Sequence, residues 1–182
     1  SFDKKFGDMR KLVHGKTLHG AQMLAPSFQR MPISYFYQGG GFADVYDTAP
    51  KPFRTAVIGL GAGVICAYAD QGDAVTFYEI DPDDYDIAKR WFTYLSGCKG
   101  EVRVITGDGR LSMNDTLKDE SKFDIITIDA FTGSGIPIYL LTKEALEVYL
   151  NRLAENGVIL FHISNDFYNL RPVIKSTSQA LN

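Results

Sequence analysis

The sequence predicts an α/β fold, a parallel sheet with helices on both faces, preceded by a small N-terminal β unit. Three observations predict it. An apolar run at 56–58 enters a turn with Gly59, Gly61 and Gly63. A second apolar run, 74–80, places Glu79 twenty positions after Gly59. From residue 51 onward, apolar runs alternate with helix-like segments, the rhythm of strand–helix–strand units.

The elements follow in order. Residues 11–13, 17–24 and 33–37 read as short strands, separated by His14-Gly15, by Ala25-Pro26 and by the glycines at 39–41. Ala49-Pro50-Lys51-Pro52 reads as a linker, dividing an N-terminal β-hairpin domain (1–50) from a nucleoside-binding domain (51–182). The first core strand spans 57–59, and a helix over 63–70 stops near Gly72. Asp81 and Pro82 supply the N-cap and first residue of a helix expected to run to 95, before Gly97. Along it, Trp91, Phe92 and Tyr94 are expected to pack into the core. A third strand at 102–106 ends in Gly107-Asp108-Gly109-Arg110, and a fourth, rich in β-branched residues, covers 123–129. Thr142 caps a helix to about 154, with Glu144 in its first turn and Asn156-Gly157 ending it. A fifth strand at 158–163 and a helix from 170 complete the pattern.

Composition excludes several classes. A chain of 182 residues suits one domain with a small appendage. Its net charge of −3 argues against nucleic acid and favours a cationic small molecule. Cys66 and Cys98 form no CxxC pair, and free thiols fit a reducing, cytoplasmic compartment. His14, His19 and His162 lack metal-ligand spacing, so no metal site is expected. No run reaches the roughly 18 apolar residues of a membrane span, and no signal peptide is visible. This segment is therefore expected to make no membrane contact. It begins without Met and ends in helical sequence, which reads as a fragment, such as the soluble domain of a membrane protein.

The glycine turn carries the functional reading. Glycines let backbone approach a ligand, and an acid ending the next strand can accept both hydroxyls of a ribose. A dinucleotide turn, G-x-G-x-x-G/A, would need a small residue where Val64 stands. The pattern present, G-x-G-x-G, is typical of the Rossmann-like S-adenosylmethionine-dependent methyltransferase fold. A complete sheet of that fold continues with a further strand pair, absent from these residues. Ligands of doubly wound sheets sit beyond the C-terminal strand ends, which here carry Gly59, Glu79, Asp108, Asp129 and Ser164-Asn165. Glu79 is expected at the ribose and Asp108, followed by Gly109, at the adenine. Asp129 is expected to hold and deprotonate an attacking amine, because an alkylammonium of pKa about 10.4 is no nucleophile.

With those residues placed, the chain resembles the spermidine synthases, the polyamine aminopropyltransferases. That resemblance implies transfer of an aminopropyl group from decarboxylated S-adenosylmethionine to an amine such as putrescine. It also implies a nucleoside contact from Gln22, contacts to both substrates from Tyr37 and Gln38, with Tyr37 catalytic, and a homodimer. A closer likeness is to bacterial spermidine synthase-like domains often fused to membrane segments. Their hallmarks resemble His14-Gly15-x-Thr17-x-His19-Gly20-x-Gln22 and the segment from Asp129-Ala130-Phe131 through Ile136-Pro137 to Leu140-Leu141-Thr142. Three family carboxylates are replaced: Ala62 stands inside the glycine turn, Gly39 after Tyr37-Gln38, and Thr132 at the second acid of the catalytic segment. Methyl transfer from S-adenosylmethionine is the competing activity, since losing the acid at Ala62 removes repulsion against the donor's carboxylate. A non-catalytic nucleoside-binding domain is a third reading.

Overall fold

The computed structural model describes residues 7–115, 122–131, 135–164 and 169–181. Strands β1 (Met9–His14) and β2 (Thr17–Met23) form an antiparallel hairpin with a register shift at Leu12/Val13. Five further strands make one parallel sheet: β3 (Arg54–Ile58), β4 (Ala74–Glu79), β5 (Glu101–Thr106), β6 (Phe123–Ile128) and β7 (Leu153–Phe161). Their spatial order is β5-β4-β3-β6-β7, so the order reverses at β3. In such sheets the switch point opens a crevice beyond the strand ends, and here β4 and β6 flank it.

Alternation along the central strands separates two cores. Val57 and Ile125 face one side, where they pack with Phe77, Ala88, Phe92 and Tyr94. Ala56, Ile58, Ile126 and Ile128 face the other, against Met113, Leu146 and Tyr149. Such near-continuous apolar strands are what a sheet buried on both faces requires. The helices are α1 (Gly41–Thr48), α2 (Pro82–Trp91), α3 (Gly109–Asn114), α4 (Lys143–Arg152) and α5 (Arg171–Gln179). Asp81 caps α2 by accepting from Asp83 N at 2.9 Å, and Thr142 caps α4 by accepting from Ala145 N at 3.3 Å. Among the described residues, no helix is long and apolar enough to cross a membrane.

Several expected elements differ. No strand forms over 33–37. Ser34–Phe36 makes a short 3-10 turn, and α1 follows it, seating Tyr46 under the sheet, where its hydroxyl meets Thr55 and Thr127 at 2.9 and 2.8 Å. The glycine turn leads into a 3-10 turn, Val64–Ala67, rather than two helical turns. Helix α2 stops at Trp91, which is half exposed, because Phe92 and Tyr94 leave helical geometry to enter the core. Asn156-Gly157 does not separate α4 from a later strand. It forms an irregularity within β7, with Asn156 at a φ of 64°, between the pairs Phe123–Leu153 and Ile125–Val158.

Candidate active site

A cavity of about 1300 Å³ opens beyond the C-terminal ends of β3, β4 and β6. The β1–β2 turn, His14 to His19, forms one wall; Gly59, Leu60 and Gly61 form the base; Glu79, Asp81 and Asp84 stand on one side, and Tyr35, Asp129 and His162 on the other. Among the described residues, four carboxylates line it against one lysine, Lys16. A cavity of that polarity favours a cationic occupant.

Two glycines bring these parts together. Gly59 has a φ of 97°, and a β-carbon there would collide with the carbonyl of Asp129. Gly59 N donates to Tyr78 O at 2.9 Å and Asp129 N to Ile58 O at 2.8 Å, so the turn and the acid are locked side by side. Gly61, at a φ of 50°, lies so close beneath the hairpin that a β-carbon would collide with His19 O. Gly61 lines the cavity, and the hairpin above it makes its own demand for glycine at this position.

Glu79 is 6% exposed. Its Oε2 accepts from Leu60 N at 2.8 Å and its Oε1 from Asp81 N at 2.9 Å. Each oxygen keeps lone-pair capacity for a second donor. Burial pushes its carboxyl above the usual range, and the backbone donors at Asp81 and Leu60 oppose that rise.

Asp129 is gripped from two sides. Its Oδ1 lies 2.6 Å from His162 Nδ1, and Tyr35 donates its hydroxyl to Oδ2 at 3.2 Å. Burial raises the Asp129 carboxyl, while first His162 and then the Tyr35 hydroxyl lower it. Burial, with the neighbouring Asp129 charge, drives the Tyr35 phenol above its ordinary range. The imidazole of His162 is packed between Tyr35, with centroids 4.0 Å apart, and the ring of Phe131, with centroids 4.7 Å apart.

The other predicted residues fall in different places. Gly109 is on the cavity wall, pressed against Ile58, at the start of α3. Asp108, off the cavity wall beside Gly109, is the N-cap of that helix, its Oδ1 accepting from Leu111 N at 2.9 Å. Gly63, at a φ of 78°, packs against Leu95 off the cavity wall. Gln22 is 1% exposed, and its amide is fully engaged elsewhere. It donates to Gln29 O and Thr93 Oγ1 and accepts from Thr93 N, which pins the hairpin to the chain after α2. The expected nucleoside contact from Gln22 is therefore replaced by a structural one.

Tyr37 and Gln38 are both exposed and off the cavity wall. The 3-10 turn rotates the chain so that Tyr35, not Tyr37, reaches Asp129. Thr132 and Asn165 lie outside the described residues. Sequence reasoning missed Tyr35, His19 and His162. The signal for His162 was its place just past β7 at the same sheet edge, which a search for strand-end acids and metal spacing passes over. Among the described residues, no group of three or more His, Cys, Asp or Glu could hold a metal ion.

The fold has counterparts among known proteins. No family model matches the chain. A polyamine aminopropyltransferase of Vibrio vulnificus is 36% identical over 114 residues, which are 61% of this chain and 38% of that protein. The chain thus spans well under half the length of that curated relative. Among solved structures, a probable spermidine synthase from Corynebacterium glutamicum superposes with a TM-score of 0.72 at 20% identity, covering 97% of this chain and 63% of that one. Human methyltransferase-like protein 13, solved in complex with SAH, gives 0.57 at 20% identity, covering 71% and 62%. At such identities these likenesses concern the fold. The chain has the Rossmann-like fold of S-adenosylmethionine-dependent methyltransferases.

Proposed function

We propose that this chain is the catalytic part of a transferase that moves an aminopropyl group from decarboxylated S-adenosylmethionine to a small amine such as putrescine. One observation carries the reading: two carboxylates, the buried Glu79 and the largely covered Asp129, face a single cavity from either side of the glycine turn. The similarity to a polyamine aminopropyltransferase supports the same chemistry.

Glu79 receives the ribose hydroxyls, held in place by Leu60 N and Asp81 N. Asp108 offers its second oxygen to the adenine amino group, beside the bare backbone of Gly109. Each charge-assisted bond of this kind contributes about 1.5–3 kcal/mol. The donor supplies a carbon made electrophilic by the sulfonium. Asp129, with Tyr35 and His162, holds the acceptor amine facing that carbon, and the acidic walls offset the charge of both cations. The hairpin within the 1–50 unit closes the site from above.

Methyl transfer from S-adenosylmethionine is a second reading, favoured by one observation. Ala62, where spermidine synthases carry an acid, is buried beneath Gly20. No carboxylate is present there to bind a donor amine or to repel a donor carboxylate. Calorimetric titration with decarboxylated S-adenosylmethionine, S-adenosylmethionine and methylthioadenosine tests both. Preference for the decarboxylated donor is expected; preference for the carboxylated one transfers the assignment to the second reading, and no binding by any of the three removes both.

A further inference from the structure

We infer that His162, rather than Asp129, takes the proton from the acceptor amine, and that Asp129 acts as its positioning partner. The inference rests on the transferase reading above and assigns the base within that site. A contact of 2.6 Å between Asp129 Oδ1 and His162 Nδ1 makes Nδ1 the protonated, donating nitrogen. In the neutral ring, Nε2 then carries the free lone pair. His162 lines the cavity, and with Nδ1 engaged by Asp129 its Nε2 is the ring nitrogen left for an occupant.

Asp129 is less suited to the task. Each of its oxygens already accepts a donor, from His162 or Tyr35, and both bonds favour the ionised carboxylate, which weakens it as a base while leaving a lone pair on each oxygen to orient an amine. The ring it orients is fixed by aromatic contacts with Tyr35, Phe42 and Phe131. Among the described residues, the titratable groups that bear on the pair include Tyr35 from the 3-10 turn, Tyr46 from α1 and His19 from β2. A carboxylate that fixes the tautomer and orientation of an imidazole base is an established division of labour.

The step balances. Nε2 removes one proton from the substrate ammonium, leaving a neutral amine. The nitrogen lone pair forms the N–C bond as the C–S bond breaks, and sulfur keeps that electron pair as a thioether. The new secondary ammonium retains its remaining protons, and the imidazolium gives its proton to water.

The test compares two acceptors, with decarboxylated S-adenosylmethionine as donor and methylthioadenosine release as readout. One acceptor is an alkylamine, protonated at pH 7; the other is an alkoxyamine, already neutral there. His162→Asn keeps an N–H for Asp129 but has no group at the Nε2 position. Turnover of the alkylamine is expected to fall roughly 10²–10⁴-fold, the range for a lost general base, and that of the alkoxyamine by less than about tenfold. Methylthioadenosine affinity should stay unchanged, and added imidazole should restore alkylamine turnover in His162→Gly. Alkylamine turnover within about threefold of native, or equal losses with both acceptors, overturns the inference. If His162→Asn fails to bind methylthioadenosine, His162→Gln replaces it in the same comparison, and the same losses support or overturn the inference. Native protein that binds nucleoside yet releases no product with any amine overturns the transferase reading itself, a failure distinct from the first.

Discussion

The carbonyl of His19 lies directly over Gly61, so close that a β-carbon at Gly61 would collide with it. The N-terminal hairpin is thus seated on the glycine turn, and the roof and base of the cavity are one packed unit.

Gly61→Val should therefore unseat the hairpin. The φ of 50° and the collision together should cost about 1–3 kcal/mol of stability and abolish methylthioadenosine binding. Gly15→Ala is the control: its φ of 60° is also strained, but nothing lies within 4 Å. Thermal unfolding and calorimetry of the two variants should separate collision from strain.

Ala62→Asp should not restore an amine site. A β-carbon on Gly20 would lie 2.5 Å from Ala62 Cβ, so the hairpin backbone covers position 62 closely. Ala62 is 1% exposed, and a carboxylate there would be buried without a partner. Stability should fall by roughly 1–3 kcal/mol or more, with no gain in putrescine use. Rising putrescine turnover in a stable variant would mean that the hairpin lifts to admit substrate.

Tyr35→Phe removes the hydroxyl that donates to Asp129. A net hydrogen bond of about 1 kcal/mol predicts a loss of roughly five- to tenfold in turnover, with nucleoside affinity preserved. Tyr37→Phe should be neutral, because Tyr37 is 56% exposed and off the cavity wall. Steady-state kinetics of the pair decide which tyrosine serves the site.

Nucleoside affinity should depend on pH through Glu79. Only its carboxylate form accepts from both ribose hydroxyls, and burial holds its pKa above the ordinary 4.5. Affinity for methylthioadenosine should therefore rise with pH above the ordinary carboxylate range and level off once Glu79 is ionised. Ligand-free stability has the opposite sign: the raised acid stabilises the fold below its unfolded pKa, and that contribution is lost as pH rises through the folded value. Glu79→Gln should weaken binding by roughly 1.5–3 kcal/mol and flatten its pH dependence. Calorimetry at pH 5 and 7.5 checks both.

The sheet and the acids at its edge were legible because close approach leaves a mark in sequence. Gly59 must be glycine for Asp129 to sit beside it, and the apolar runs of β3 and β6 permit no other burial. What escaped depends on rotation and distance. Glycines at 39–41 read as a turn, yet Gly40 is the N-cap of α1, with Asp44 in its first turn. A 3-10 turn instead of a strand puts Tyr35, rather than Tyr37, against Asp129. Gln22 owes its burial to Thr93, 71 residues away, and no local pattern shows such a partner. His162 pairs with an acid 33 residues earlier, through the adjacency of β6 and β7.

Aminopropyl transfer is best distinguished from methyl transfer by the identity of the product. The native protein, incubated with an amine and either decarboxylated S-adenosylmethionine or S-adenosylmethionine, should be followed by mass spectrometry of both nucleoside and amine. Methylthioadenosine is expected, together with an amine heavier by one aminopropyl group. S-adenosylhomocysteine with a methylated amine, or no change in either donor, would contradict the proposed transfer.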